Sequence, residues 1–295
     1  MTPISFERAV HEGADMVECD VCVTRDLQLV CSHESWMEEN TNVADIFPSS
    51  RRNTYYVDDQ SEVITDYFTV DFTLGELNTI GKRQRYDFRD PTHNYAHPMA
   101  TVEQVIELAR DANRTVRLLA EIKDPIWVNS LDFMQNNSAT VESLLLDLLQ
   151  RYGYDQDDSP AAIQAFNEDV IRGLRPLTPI HLSVLIRDAV DVTDEKFAEF
   201  AQYADSVAVT KSLIVVTNSD NQIINRTDVI QRAHAAGLGI NVWTFRNENR
   251  YLAWDYGQDI YNEMEDFLGL GVDGFITDFT DTAVRFLNNI YNCTG

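Results

Sequence analysis

Short runs of consecutive apolar residues alternate along the chain with stretches whose apolar residues recur every three or four positions. This is the pattern of parallel strands joined by amphipathic helices. Seven strands are predicted, at 16–24, 116–123, 161–167, 180–186, 206–210, 239–245 and 274–279. Helices are predicted between them at 101–112, 141–152, 168–174, 194–203, 228–236, 261–268 and 282–289, with Gly237 and Gly269 as stops. A further helix, 4–12, stands ahead of the first strand, with Thr2 as its N-cap and Pro3 as its first residue. An eight-stranded β/α barrel opens on a strand, so a helix-first chain with seven strands reads as a barrel without its first strand. An open doubly wound sheet accommodates seven strands equally well, and periodicity does not separate the two.

The alternation breaks between Cys31 and Ala100. This interval carries the charged pairs Glu38-Glu39 and Arg51-Arg52 and one short predicted helix, 73–80. Structureless loops of that length are uncommon inside a compact domain. Tyr55, Tyr56, Tyr67, Phe68, Tyr86 and Phe88 give it apolar mass to pack. An ordered lobe is therefore expected at about 34–100, inserted at the barrel's mouth in one domain spanning 1–295.

The 295 residues, 44% of them apolar, suffice for a full core. Acidic residues number 48 against 23 basic, for a net charge of −25, which excludes general affinity for nucleic acid and for anionic membrane surfaces. An anionic substrate would need local basic residues or a metal. No apolar run approaches the ~20 residues of a membrane span, residues 1–15 lack the order of a signal peptide, and no pattern marks an obligate protein partner.

Cys22 and Cys31 flank the turn Thr24-Arg-Asp-Leu-Gln28. A hairpin centred between Asp26 and Leu27 sets them opposite each other, at a separation a disulfide spans; two buried free thiols are the alternative. Cys19-Asp-Val-Cys22 would point to opposite faces of a strand, which argues against a zinc or redox pair. With four Asn-X-Ser/Thr sequons, at Asn113, Asn136, Asn225 and Asn292, the cysteines point to a secreted or lumenal (including vacuolar) glycoprotein.

Chemistry concentrates at three places. Glu18 and Asp20 sit two apart on the first strand, so both carboxylates leave the same face. Like charges so placed are best tolerated around a divalent cation, although an exposed acidic edge has the same sequence. Glu121 and Lys123 share a face at the end of the second strand, offering a third oxygen ligand beside an ammonium, or simply an ion pair. His33 emerges after the hairpin near the metal end of the Glu18 strand, where an imidazole could exchange a proton with a substrate oxygen. Trp243 ends another strand and could wall a pocket or fill a core. No Gly-rich phosphate loop, Gly-x-Ser-x-Gly elbow or His-Glu-x-x-His motif is present.

These residues resemble the glycerophosphodiester phosphodiesterases, in particular their bacterial periplasmic and plant-like secreted branch. The resemblance rests on Gly13-Ala-Asp-Met-Val-Glu-Cys-Asp20, Thr24-Arg-Asp with His33, Thr41-Asn-Val-Ala-Asp45, Asp71-Phe-Thr-Leu-Gly-Glu-Leu77 and Lys82-Arg-Gln-Arg-Tyr-Asp-Phe-Arg-Asp90. It continues through Glu121-Ile-Lys-Asp-Pro125, Arg246-Asn-Glu-Asn249 and Gly271-Val-Asp-Gly-Phe-Ile-Thr-Asp-Phe279. It implies a TIM-type (β/α)8 barrel, of the phosphatidylinositol-phosphodiesterase-like kind, that hydrolyses glycerophosphodiesters to glycerol 3-phosphate and an alcohol. It further implies Ca²⁺ or Mg²⁺ on Glu18, Asp20 and Glu121, Lys123 on the phosphate, and His33 as one of two acid–base histidines, the glycerol hydroxyl attacking to form a cyclic phosphate. Trp243 and Lys211 match substrate-binding positions. The family opens with a strand ending in His-Arg-Gly, whereas this chain begins near the threonine leading into the first helix, and Glu34 stands where Asp is usual. The expectation is a barrel lacking its first strand and one catalytic histidine, hence feebly active by itself. The alternative is a non-catalytic relative that binds metal or phosphodiester. Phospholipase D-like cleavage of lysolipids would need an apolar groove that the sequence does not locate.

Overall fold

All seven predicted strands form; Arg117–Ile122, Ala161–Ala165 and His181–Ile186 are buried on both faces, as a parallel sheet covered by helices requires, whereas Gly274–Thr277 is only partly buried. The computed structural model describes residues 1–293. They pack as two units, a first of Met1–His11, Asp15–Val170 and Pro176–Ile180, and a second of Glu12–Ala14, Ile171–Arg175 and the residues from His181 onward.

The first unit contains β1 (Met16–Val23), β2 (Leu29–Cys31), β3 (Asn53–Val57), β4 (Glu62–Asp66), β5 (Arg117–Ile122) and β6 (Ala161–Ala165). β1 pairs in parallel with β5 and β5 with β6, and β2 folds back antiparallel on β1. Helix Val102–Arg110 covers β1, β2 and β5 with Val102, Val105, Ile106 and Ala109, the i, i+3, i+4, i+7 stripe of its sequence. Each fully buried Val or Ile contributes roughly 1.5–3 kcal/mol. Thr101 and Gln104 close the start of the helix with a reciprocal capping box.

The inserted interval is ordered. β3 and β4 form a hairpin that the sequence did not predict, because its alternation puts Tyr56 and Val63 on an exposed face. Met37, Val43, Tyr67, Phe72, Leu77, Ile80 and Met99 pack with Cys22 and Val30 of β1 and β2 into one apolar cluster. The helix predicted at 73–80 shortens to Leu74–Leu77, started by a Thr73–Glu76 capping box.

The second unit contains β7 (His181–Ile186), β8 (Ser206–Thr210), β9 (Val215–Thr217), β10 (Ile223–Arg226), β11 (Gly239–Phe245) and β12 (Gly274–Thr277). Strand pairs β7–β8, β8–β11 and β11–β12 are parallel, and β9–β10 is a separate antiparallel hairpin. Gly237 ends its helix at φ +85, as expected. Gly269 does not: helix Ile260–Leu270 runs through it and stops at Gly271, whose φ of +99 supplies the left-handed residue that closes a helix end.

The cysteine pairing departs from expectation. The bond joins Cys19 to Cys31, with Cα atoms 5.3 Å apart, and Cys22 is a buried free thiol. The turn explains the change. Thr24 pairs with Gln28 around Arg25, Asp26 and Leu27, Thr24 Oγ1 donates to Asp26 Oδ1, and Leu27 adopts φ +61, which makes a three-residue loop with a left-handed last position. The register therefore slips by one, setting Val21 opposite Cys31 and Cys22 opposite Val30. Cys31 then shares a face with Val21 and Cys19, while Cys22 projects from the other face.

Asn113, Asn136 and Asn225 are exposed, and the sequon at Asn292 runs beyond the described residues. Among the described residues no helix is long and apolar enough to cross a membrane. Non-reducing peptide mapping is expected to recover Cys19 linked to Cys31, with Cys22 alkylated only after unfolding. The Cys19→Ser/Cys31→Ser protein should lose roughly 2–4 kcal/mol of stability in urea. Recovery of a Cys22–Cys31 peptide would contradict the register.

Candidate active site

Strand register assembles the acidic residues. Asp20 of β1 lies opposite Glu121 of β5, and Glu121 opposite Gln164 of β6. Paired residues project from the same face, so the three form a row, with Glu18 two positions earlier on that face. One carboxylate oxygen from each of Glu18, Asp20 and Glu121 lies within 4.8 Å of the others. Lys123 reaches back to this group, its Nζ 3.0 Å from Asp20 Oδ1 and in contact with Glu121 Oε1. Gln164 Nε2 donates to Glu121 Oε2 at 3.3 Å. The sequence had not singled out Gln164, although a lone polar residue in an otherwise apolar buried strand is a usable signal.

Three carboxylates against one ammonium leave a buried excess of negative charge. Burial, with the charges of Asp20 and Glu121, pushes the Glu18 carboxyl well above the usual range. Burial likewise pushes Glu121 up to about 7, against the opposing pull of Lys123. Burial alone would lower the Lys123 ammonium, but Asp20 and Glu121 outweigh it and hold it above its ordinary value. Asp20 Oδ2 is buried without a hydrogen-bond partner. Hard oxygen donors, surplus negative charge and an unsatisfied carboxylate oxygen together fit a divalent cation.

His33 stands beside this strand, since the neighbouring Ser32 N–H donates to Asp20 O at 2.9 Å, and its side chain is 53% exposed. Its Nδ1 is 2.6 Å from Glu34 Oε1. Burial works against ionising Glu34, yet the hydrogen bond and charge of His33, with Arg85 and Lys82, hold its carboxyl down to about 2. Cys22, on the face that carries Glu18 and Asp20, donates to Ser32 O, and burial pushes its thiol up, away from reactivity.

The end of β5 is clasped by the inserted hairpin. Asp124, at φ +48, accepts from Ser35 Oγ, the residue two beyond His33. Asp59 at the hairpin tip exchanges backbone hydrogen bonds with it, Asp59 N–H to Asp124 Oδ1 at 3.3 Å and Asp124 N–H to Asp59 Oδ2 at 3.0 Å. Asp58 accepts from the N–H groups of Ile126 and Trp127.

The second unit places the other two predicted residues at the ends of adjacent strands. Trp243 lies in register with Thr210, and its Nε1 donates to Ala208 O at 3.0 Å. Lys211 follows Thr210 and donates to Glu263 Oε1 at 2.8 Å and Tyr251 O at 2.7 Å.

Parallel β/α units with a carboxylate trio and a lysine at a strand end suit chemistry on a phosphate, and comparison with known proteins supplies the class. Residues 2–282 match the Glycerophosphoryl diester phosphodiesterase family, and the chain belongs to it. It is 33% identical to glycerophosphodiester phosphodiesterase GDPD6 of Arabidopsis thaliana over 97% of this chain and 81% of that protein. A glycerophosphoryl diester phosphodiesterase-like chain of Silicibacter pomeroyi DSS-3 superposes with a TM-score of 0.70 at 16% identity, covering 98% of this chain and 88% of that one. An Oleispira antarctica phosphodiesterase in complex with the product sn-glycerol-3-phosphate superposes at 0.62 and 14% identity, covering 97% and 90%. The fold is the TIM-type α/β barrel of these neighbours, and the chain is a phosphodiesterase of the hydrolase class.

The clasp makes stability depend on pH. Burial and the Asp124 charge push the Asp59 carboxyl up to about 7, whereas in an unfolded chain it titrates near about 4. The folded state thus binds more protons between those values, and the clasp's contribution falls as pH rises from about 4 to 7. Asp59→Asn keeps the acceptor without the charge, so it should raise stability at pH 8 by roughly 1–2 kcal/mol and flatten the pH 5–8 slope in urea titrations. A variant less stable than wild type at pH 8 would contradict this.

Proposed function

We propose that the protein hydrolyses glycerophosphodiesters to glycerol 3-phosphate and an alcohol with a divalent cation, Ca²⁺ or Mg²⁺, held by Glu18, Asp20 and Glu121. The observation that carries this reading is the convergence of those three carboxylates with Lys123 on one face. When bound, such a cation polarises a phosphoryl oxygen and offsets the charge that develops on it. Lys123 supplies a fixed ammonium to a non-bridging phosphate oxygen. His33, half exposed beside Asp20, exchanges the proton of an alcohol oxygen. Trp243 and Lys211 are assigned to the substrate on the family resemblance. The glycerol 3-phosphate held by the Oleispira antarctica relative supports a small-molecule substrate of this class. A buried disulfide and three exposed sequons support a secreted or lumenal glycoprotein.

Calorimetric titration with Ca²⁺ and Mg²⁺ should give one tight site that Asp20→Asn and Glu121→Gln abolish. The same substitutions, and His33→Ala, should cut release of glycerol 3-phosphate from glycerophosphocholine by about 10² or more. Tight binding of metal and glycerophosphocholine with no turnover, even when a strand ending in His-Arg-Gly is joined ahead of Thr2, would replace the enzyme reading with that of a binding protein.

A further inference from the structure

The carboxylate that touches His33 is held more firmly than its position in a loop requires. Glu34 Oε2 accepts from Asn40 Nδ2 at 3.0 Å, and Asn40 Oδ1 accepts from Lys82 Nζ at 2.8 Å. Lys82 also donates to Ser32 Oγ at 3.2 Å. Asn40 and Lys82 are buried, at 5% and 8% exposure. Arg85 Nη1 donates to Glu34 Oε1 at 2.8 Å and lies 2.7 Å and 3.1 Å from the two ring nitrogens of His33, while its Nη2 donates to Tyr86 OH. Segment 32–35 is thus fastened at Ser32, Glu34 and Ser35, leaving the imidazole as its exposed part.

A carboxylate oxygen offers only lone pairs and a guanidinium nitrogen only N–H groups, so Nδ1, 2.6 Å from Glu34 Oε1, is placed to carry the proton and Nε2, 3.1 Å from Arg85 Nη1, to accept. The 2.7 Å from Arg85 Nη1 to Nδ1 opposes this, and Arg85 has Glu34 Oε1 at 2.8 Å as its acceptor instead. We propose that Glu34 is a positioning residue that fixes neutral His33 as its Nδ1–H tautomer, leaving Nε2 as the proton-exchanging atom, and that Asn40, Lys82 and Arg85 hold Glu34 in place. The inference rests on the acid–base reading of His33 and deepens it by naming the atom. Arg85 and Glu34 set opposite charges against the ring, so the pair fixes orientation and tautomer together. The arrangement also accounts for Glu rather than Asp at this position. The longer side chain lets one oxygen meet Nδ1 while the other reaches Asn40.

Long-range ¹H–¹⁵N spectra of the full chain, with His33 identified by its loss in His33→Asn, read the tautomer at a pH where the ring is neutral. A protonated Nδ1 with an unprotonated Nε2 is expected in the wild type, reverting towards the Nε2–H form in Glu34→Ala and partly restored in Glu34→Asp. A wild-type His33 on the Nε2–H tautomer, or a Glu34→Ala spectrum with the tautomer unchanged, overturns the proposal, and the wild-type spectrum decides if the variant does not fold. Glu34→Ala should lower kcat about 10²-fold with KM little altered, and cause no further loss in a His33→Ala background. An additional loss there would assign Glu34 a role other than positioning His33 and overturn the proposal. Full turnover by His33→Ala would refute the acid–base reading itself, a result distinct from a failed tautomer measurement.

Discussion

The parallel pairing of β1 with β5 sets Asp20 opposite Glu121, and much of the first unit answers that one constraint. Two acids in register, with Glu18 beside them, would repel strongly in a buried environment. Lys123 offsets one charge, and its contacts with Asp20 and Glu121 order both carboxylates. The remaining charge leaves a cluster that a cation would neutralise, and a one-position slip would turn Asp20 away from the site.

The two faces of β1 divide the work. Glu18, Asp20 and Cys22 share the chemical face, while Val17, Cys19 and Val21 share the other, where Cys19 bonds to Cys31. The tether therefore fixes the strand without entering the site. The inserted interval anchors the same region from its other side. Its hairpin tip binds Asp124 just past Lys123, Ser35 binds Asp124 as well, and Lys82 with Asn40 braces Glu34. The interval that breaks the strand–helix alternation, expected as an ordered lobe, is thus the frame for His33.

The strands and the charged pairs were legible because each depends on short-range periodicity: consecutive apolar residues for a doubly buried strand, and i, i+2 spacing for a shared face. That spacing put Glu18 with Asp20 and Glu121 with Lys123 as two pairs; that the pairs form one site was implied only by the family resemblance, since no local pattern gives the β1–β5 register. Features set by one residue's backbone were not legible. Leu27 in the left-handed region moved the hairpin register and with it the disulfide, and Gly271 rather than Gly269 ended a helix. The β3–β4 hairpin was hidden because apolar residues occupy its exposed face, so alternation carried no contrast. Lys82, Arg85 and Asn40 were out of reach for another reason. They lie 6 to 52 residues from the partners they hold, a distance along the chain that no local pattern spans.

The proposal of a cation on Glu18, Asp20 and Glu121 rests on the β1–β5 register. Its most direct test is a crystal grown with Mn²⁺ as an anomalous probe in the presence of glycerol 3-phosphate. One strong anomalous peak is expected within about 2.0–2.6 Å of oxygens from Glu18, Asp20 and Glu121, with Lys123 turned towards the phosphate. A peak elsewhere, with Lys123 still seated between Asp20 and Glu121, would show that the carboxylates form a structural ion-pair cluster and would contradict it.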